Sequence, residues 1–140
     1  ADIHFPRDIP WASWRMGTTM PPLWLTPDEA LFIIHGISVQ HIKGKDKYVY
    51  SIGRAKLVRR GAAFEVTVAR EPILTPDDFL DDKGIPLVKE LHPHLRRVVY
   101  SCGGVIKKQA QDLLALYVNV GDRTTFEVEF SLKQLKEGLF

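Results

Sequence analysis

One segment, QDLLALYVNVGDRTTFEVEF at residues 111–130, constrains the fold more than any other part of the chain. In its second half, Phe126, Val128 and Phe130 alternate with polar residues, which is typical of a strand with one buried face. Its first half is apolar on both faces, as expected for a central strand that is covered on both sides. The sequence therefore predicts a β-hairpin, 113–120 and 124–130, that forms part of the core.

Local start and stop signals predict a helix near the N-terminus. Thr26 and Glu29 match a capping box, and Pro27 suits the first helical position. Gly36 supplies a stop signal, so a helix is predicted between Thr26 and Gly36. A short strand is expected to follow at residues 37–42, which gives a small helix–strand unit.

The remaining segments are predicted to include both strands and short helices. Residues 64–68 alternate like a strand, whereas Thr75 and the acids after it predict a short helix. Residues 47–60 fit either a helix or a strand, and the segment before Pro93 is predicted to be helical. Ser131 is expected to cap a last helical turn. The expected fold class is α+β, in which the N-terminal helix–strand unit precedes a domain with a mixed β-sheet flanked by helices.

A lysine-rich turn around Gly44 predicts a division of the chain there. Residues 1–45 would form an N-terminal arm plus the helix–strand unit, and residues 46–140 a second domain. The arm carries four prolines together with Trp11 and Trp14. Because prolines at that density exclude a long helix, we expect the arm to pack through its aromatic rings on the body of the protein or on a neighbour.

The composition is that of an ordinary globular protein. Hydrophobic residues make up 45% and charged residues 26% of the 140 residues, which disfavours disorder. The single cysteine, Cys102, cannot form an internal disulfide and favours a reducing compartment. No apolar stretch approaches the ~20 residues that span a bilayer. We expect a cytoplasmic protein with no membrane partner.

Charge is unevenly distributed along the chain. Residues 43–70 contain eight basic residues against two acids, whereas residues 71–90 contain six acids against two lysines. Two such surfaces either neutralise each other or orient a polyanion over one and a basic partner over the other. Lys43, Lys45 and Lys47 are the candidate RNA contacts in the basic segment, since lysines add sequence-independent affinity for a polyanion.

Patterns for metal or cofactor chemistry are weak. His92 and His94 flank a proline and cannot act as an i, i+4 pair on one helix face, and no cysteine or acid stands at ligand spacing. The paired glycines before Lys107 and Lys108 do not form a phosphate-binding loop pattern. No metal and no cofactor is expected.

Three segments together resemble subunits of the tRNA-splicing (tRNA-intron) endonuclease family. PPLWLTPDEALFIIHGISVQ is similar to the N-terminal segment of those subunits, and YVYSIGRAKLVRRGAAFEVTVAREP is similar to the start of their nuclease domain. DLLALYVNVGDRTTFEVEF resembles their closing hairpin. The resemblance covers about residues 20–133 in the family's order.

The chain departs from the family at the catalytic positions that the resemblance implies. Catalytic subunits cleave RNA with a tyrosine, a histidine roughly ten residues later and a lysine just before the penultimate strand. The chemistry needs a general base on the 2′-hydroxyl, an acid for the leaving 5′-oxygen and a cation for the transition state. Here no tyrosine lies between Tyr50 and Tyr100, and no histidine lies between His41 and His92. Gln111 stands at the lysine position, although a small gap could place Lys107 or Lys108 there. The resemblance therefore implies a structural subunit without catalytic residues, in an archaeal-type heterotetramer.

The resemblance also assigns partners. In that family an acidic loop docks into a basic cleft of a catalytic subunit, and here the matching loop is Gly121, Asp122 and Arg123. The same residues suit an ordinary hairpin turn, which is the alternative. The strand bearing Phe126, Val128 and Phe130 would pair with the partner's matching strand. The implied partners are a catalytic endonuclease subunit and pre-tRNA.

Two other functions stay open. One is a stand-alone RNA-cleaving protein that uses Tyr100, His92 or His94, and Lys107 or Lys108. The other is a small nucleic-acid-binding or protein-binding module with no link to splicing, whose binding would depend on salt.

Overall fold

The computed structural model describes residues 3–89, 92–107 and 112–140. Within these ranges the chain forms mostly β-structure, with one short α-helix near residue 140. The strands are β1 (Arg15–Thr18), β2 (Leu23–Trp24), β3 (Glu29–Ile42), β4 (Lys45–Arg60), β5 (Ala63–Val68), β6 (Val99–Ile106), β7 (Leu113–Val120) and β8 (Thr124–Ser131). The helix α1 is Leu132–Lys136, and 3-10 helices lie at Pro10–Ala12, Pro76–Phe79 and Pro93–Leu95. The predicted α+β class is therefore wrong.

The strands form two antiparallel sheets. The first sheet has the order β1-β3-β4-β5, and β2 also pairs with β3. The second sheet has the order β6-β7-β8. The long strands β3 and β4 pair from Glu29 opposite Val58 to Ile42 opposite Lys45. The turn between them lies at the predicted division of the chain, and every residue of β3 pairs with a residue of β4 across it.

The predicted N-terminal helix is a strand. Thr26 does accept hydrogen bonds at its Oγ1 from the N–H of Asp28 and Glu29, at 3.3 Å and 3.0 Å, as an N-cap would. The chain then extends into β3 because residues 30–34 are all buried, on both faces of the strand. A continuous apolar run of this length fits a covered strand as well as a helix, and tertiary packing decides between them.

Strand β3 is covered on both faces by different parts of the chain. Leu31 and Ile33 pack in a core cluster with residues of the second sheet, such as Leu116 and Val118. Phe32 and Ile34 pack on the opposite side, under the N-terminal arm. The expectation that the arm lies on the body of the protein is confirmed, since Trp11 is buried in this second cluster.

Segment 47–60 resolves as the strand β4, and the segment just before Pro93 is not helical over its described residues. The other local predictions are confirmed. The hairpin β7–β8 pairs in register from Leu113 opposite Ser131 to Val120 opposite Thr124, and β7 is the central strand of its sheet. Ser131 caps α1 by accepting a hydrogen bond from the N–H of Gln134 at 3.0 Å.

Candidate binding cleft

A cleft of about 810 Å³ opens where one end of the first sheet meets the second sheet. Four aromatic side chains line it, and basic, acidic and apolar residues complete its walls. We call it the aromatic cleft; its lining residues are Trp14, Asp46, Lys47, Tyr48, Tyr50, His94, Leu95, Arg97, Val98, Tyr100 and Asp122.

Strand geometry places the tyrosines of β4 in the cleft. Tyr48 and Tyr50 are two residues apart, so their side chains lie on the same face of the strand. The backbone N–H of Trp14 donates to the carbonyl of Ile37 at 2.9 Å, which fixes the chain beside the end of β3. The indole of Trp14 then lies against the ring of Tyr48, with centroids 4.8 Å apart and planes tilted by 54°.

The aromatic rings of the cleft are open to solvent. Trp14 is 54% exposed, Tyr48 48% and Tyr100 39%. Exposed aromatic rings grouped in one concave site are available to stack on a planar ligand.

A half-buried histidine, His35, packs against Tyr100. The ring of His35 on β3 contacts the ring of Tyr100 edge to face, with centroids 5.5 Å apart. Burial lowers the pKa of His35, and the positive charge of Arg15 lowers it further. The Nδ1 atom of His35 is buried and has no hydrogen-bond partner among the described residues. Burial and the charge of Arg15 therefore both disfavour the protonated imidazole next to the cleft.

Charges of both signs line the cleft. Lys47 and Arg97 are the two full cations, and Asp46 and Asp122 are the two acids. Asp46 already contacts the ring of His41, with its Oδ1 3.1 Å from Nδ1. The cleft thus offers both cationic groups for phosphate and acceptor groups for a polar ligand edge.

The three candidate RNA-contact lysines lie at the same end of the molecule. Lys43 is in the β3–β4 turn with φ of 51°, and Lys45 starts β4. Both are exposed, whereas Lys47 is half-buried and lines the cleft.

The predicted docking loop is the turn between β7 and β8. Gly121 and Asp122 both have positive φ, at 62° and 52°, as a tight hairpin turn requires. The N–H of Gly121 donates to the carbonyl of Val98 at 2.9 Å, so the turn is anchored on the chain just before β6. Asp122 lines the aromatic cleft, and Arg123 is exposed beside it.

The three apolar residues predicted for the interface strand point into the protein's own core. Phe126, Val128 and Phe130 are half-buried and pack against the cluster between the sheets. The outward positions are acidic: the Nζ of Lys107 lies 3.1 Å from Glu127 and also contacts Glu129. β8 is the last strand of its sheet, so only its backbone edge remains for a partner strand.

The structure separates the residues of the proposed cleavage site. Tyr100 and His94 both line the aromatic cleft. His92 stacks on His94, with centroids 4.9 Å apart, but does not line the cleft. Lys107 lies just past the other end of β6 from Tyr100, roughly 20 Å away at ~3.3 Å per residue. Lys108 and Gln111 lie outside the described residues.

Several residues of the cleft, Trp14, Tyr48 and Arg97 among them, are not predicted from the sequence as binding residues. Trp14 was expected only to pack, and Tyr48 and Arg97 were not singled out. The alternation of Tyr48 and Tyr50 was a usable signal, because two aromatic residues on one face of a strand end form a platform. Nothing in the sequence indicates that Trp14 and Arg97 join them.

In the described ranges, no three His, Cys, Asp or Glu side chains come together to hold a metal ion. Over the same residues, no helix combines the length and the apolar character needed to cross a membrane. No protein-family model matches the chain, and no curated protein matches its sequence.

Proposed function

We propose that the protein binds single-stranded nucleic acid, with RNA as its substrate class, in the aromatic cleft. The observation that carries the proposal is the exposed Trp14–Tyr48 ring pair, in a cleft that Lys47 and Arg97 also line. Proteins that bind single strands combine aromatic platforms for the bases with a basic groove for the backbone. The cleft supplies the aromatic platform, and the exposed Lys43 and Lys45 lie at the adjacent β3–β4 turn.

Aromatic stacking and electrostatic attraction contribute unequally to the proposed binding free energy. Stacking of a base on an aromatic ring contributes about 1–3 kcal/mol per base. Inside the cleft Asp46 and Asp122 offset the two cations, so little net Coulomb attraction comes from the lining itself. The attraction for the backbone comes from Lys43 and Lys45 at the adjacent turn, and it is sensitive to salt. Aromatic stacking therefore dominates.

The proposal covers binding and assigns no cleavage step. Tyr100 and His94 could supply a hydroxyl and an imidazole, but Lys107 is at the far end of β6 and engaged by Glu127 and Glu129. The ammonium group of Lys107 is therefore too far away to contact a phosphate bound in this cleft.

A structural role in a tRNA-splicing endonuclease is a second proposal. The hairpin β7–β8 supports it, because Asp122 is exposed at a turn and β8 presents a backbone edge. Against it, two of the three segments that carry the resemblance fold as the long strands β3 and β4 rather than as the helices expected of that family. In that role the RNA would be pre-tRNA, the partner would be the catalytic subunit of a heterotetramer, and the site of action would be the cytoplasm.

The test is a titration of fluorescently labelled single-stranded RNA of about eight nucleotides, monitored by anisotropy. Trp14→Ala is expected to weaken binding roughly 5- to 150-fold, the equivalent of about 1–3 kcal/mol of lost stacking. Trp24→Ala is the matched control, since Trp24 is also exposed (44%) but packs against Phe64 in the first sheet. No binding by the wild-type chain, or equal loss in both variants, contradicts the proposal.

A further inference from the structure

A second cleft, of about 550 Å³, lies on the opposite face of the same strand ends. Val49 and Ser51 of β4 line it, and they alternate with Tyr48 and Tyr50, so the two clefts lie on the two sides of the sheet. Its volume is within the ~300–1,000 Å³ range of small-molecule sites. We call it the serine cleft; the groups that the argument uses are Ser38, Gln40, Ser51, Pro76, Arg96 and Arg97.

The floor of the serine cleft is polar, and its hydroxyls face the cleft. Ser38 and Ser51 are buried residues on the neighbouring strands β3 and β4. Neither hydroxyl makes a hydrogen bond within the described part of the chain. Gln40, two residues after Ser38, adds an amide on the same face. Hydroxyls and an amide can both donate and accept hydrogen bonds, so together they match the edge of a nucleobase.

Proline rings and the edge of a buried indole form the apolar part of the walls of the serine cleft: Pro10, Pro72, Pro76, Pro86 and Trp11. Thr75 and Asp77 line the cleft beside them. A slot with apolar walls and a polar floor accepts a flat molecule that has hydrogen-bonding groups along one edge.

Arg97 connects the two clefts. It lines both of them, and its carbonyl accepts a hydrogen bond from the N–H of Tyr50 at 2.9 Å. This bond places Arg97 along the edge of β4, between the two faces of the sheet. Over the residues that the structure describes, the side chains of Arg96 and Arg97 form no ion pair. Arginine binds phosphate in a two-pronged geometry, so this edge can hold a backbone phosphate.

We propose that a single strand stacked in the aromatic cleft turns around the β4 edge at Arg97 and inserts one base into the serine cleft. Ser38 and Ser51 then contact the edge of that base, and Arg97 holds the phosphate between the two sites. This inference rests on the proposed function and extends it, because it makes the serine cleft the part of the site that selects a base. The aromatic cleft, which stacks rings without reading their edges, accepts any base.

The experiment compares ligands that differ only in one stretch of bases. The short ligand is an RNA of about three nucleotides, enough to fill the aromatic cleft. Two longer ligands carry about five further nucleotides, and each is made with the extension at either end. In one ligand the added nucleotides have bases, and in the other they are abasic residues with the same backbone charge. The full chain is expected to bind the ligand with extra bases about tenfold more tightly than its abasic counterpart, the equivalent of about 1.4 kcal/mol.

Ser38→Ala combined with Ser51→Ala is expected to abolish that tenfold difference and leave the affinity for the short ligand unchanged. Gln40→Ala, on an exposed side chain, repeats the test without touching a buried residue and is expected to reduce the difference. Thr67→Ala, an exposed hydroxyl on β5, is the control and is expected to keep it.

The outcomes separate the two proposals. If the short ligand binds but the extra bases contribute nothing, or contribute equally in the serine variants, the serine cleft is not a base site and the proposed function stands. If the short ligand does not bind to the wild-type chain, the proposed function itself is wrong.

Discussion

The indole of Trp11 packs so closely on Gly53 that a Cβ at this position would lie 2.2 Å from ring atoms Cζ2 and Cη2. Trp11 also donates from Nε1 to the carbonyl of Ala69 at 3.1 Å. Gly36, on the neighbouring strand, meets the same ring. The N-terminal arm is thus fixed on the first sheet by one side chain that fits over two glycines.

Gly53→Ala is expected to lower the free energy of unfolding by about 1–3 kcal/mol, because the added methyl group has no space. Gly53 does not have a positive φ, so the cost comes from contact and not from backbone strain. Urea denaturation measures it. Trp11→Ala alone should cost about 3–5 kcal/mol.

The double variant provides the control for this prediction. With Trp11 already replaced by alanine, the additional cost of Gly53→Ala should be much smaller, since the two residues are in contact. An undiminished cost in that background would show that Gly53 is required for a reason other than the indole.

Acid should destabilise the protein through His35. Its pKa is lowered in the folded state below the ordinary value of 6.5, chiefly by burial, with Arg15 as the next cause. The unfolded chain therefore binds the proton first, and stability is lost as pH falls from the unfolded pKa towards the folded one. The ring of Tyr100 contacts the imidazole, and the guanidinium of Arg15 acts on it through its charge.

Replacing His35 with glutamine should reduce this acid sensitivity. The measurement is the difference in Tm between about pH 7.5 and about pH 5.5 for both chains. His41→Gln, on an exposed histidine, is the control and should retain the wild-type difference. An equal loss of Tm in wild-type and His35→Gln would exclude His35 as its source.

Arg54 joins the first sheet to the C-terminal helix. Its Nη1 donates to the carbonyls of Leu135 and Glu137, at 2.6 Å and 2.7 Å. Arg54→Met keeps the aliphatic stem and removes both charged hydrogen bonds, so unfolding free energy should fall by about 1.5–3 kcal/mol. Arg60→Met is the matched control on the same strand, because Arg60 is exposed. Equal stability of the two variants in urea would contradict this role.

The salt dependence of RNA binding should report on the lysines of the β3–β4 turn. Changing Lys43 and Lys45 to alanine is expected to reduce the slope of log affinity against log salt by about 0.7 per lysine. The same change at Lys133 and Lys136 of α1 removes equal charge elsewhere and should leave the slope almost unaltered. Equal changes of slope in both double variants would indicate a non-specific charge effect.

Local signals in the sequence identify turns and helix caps, but they do not decide whether several segments form helices or strands. The hairpin β7–β8 and the cap at Ser131 depend on short-range patterns, and both were predicted correctly. Thr26 also accepts the hydrogen bond expected of an N-cap, from the N–H of Glu29, yet the residues after it are a strand. The outcome there depends on Trp11 and the second sheet covering both faces of β3, and these contacts are distant in sequence.

The candidate site was less predictable for the same reason. The aromatic cleft joins four separate segments, represented by Trp14, Tyr48, Arg97 and Asp122. Their approach depends on the pairing of β3 with β4 and on the packing of one sheet against the other. No local pattern encodes either contact, so the sequence indicates separate members such as Lys47, Tyr100 and Asp122, or the Tyr48–Tyr50 alternation, but not that they meet in one cleft.

Photo-crosslinking with a single-stranded RNA that carries a photoreactive uridine, followed by mass spectrometry, tests the central claim most directly. Crosslinks are expected on peptides that contain Trp14, Tyr48 or Tyr100, and they should be lost in competition with unlabelled single strands but not with duplex. Crosslinks concentrated on the Trp24–Phe64 surface of the first sheet, or on the outer edge of β8, would contradict the account.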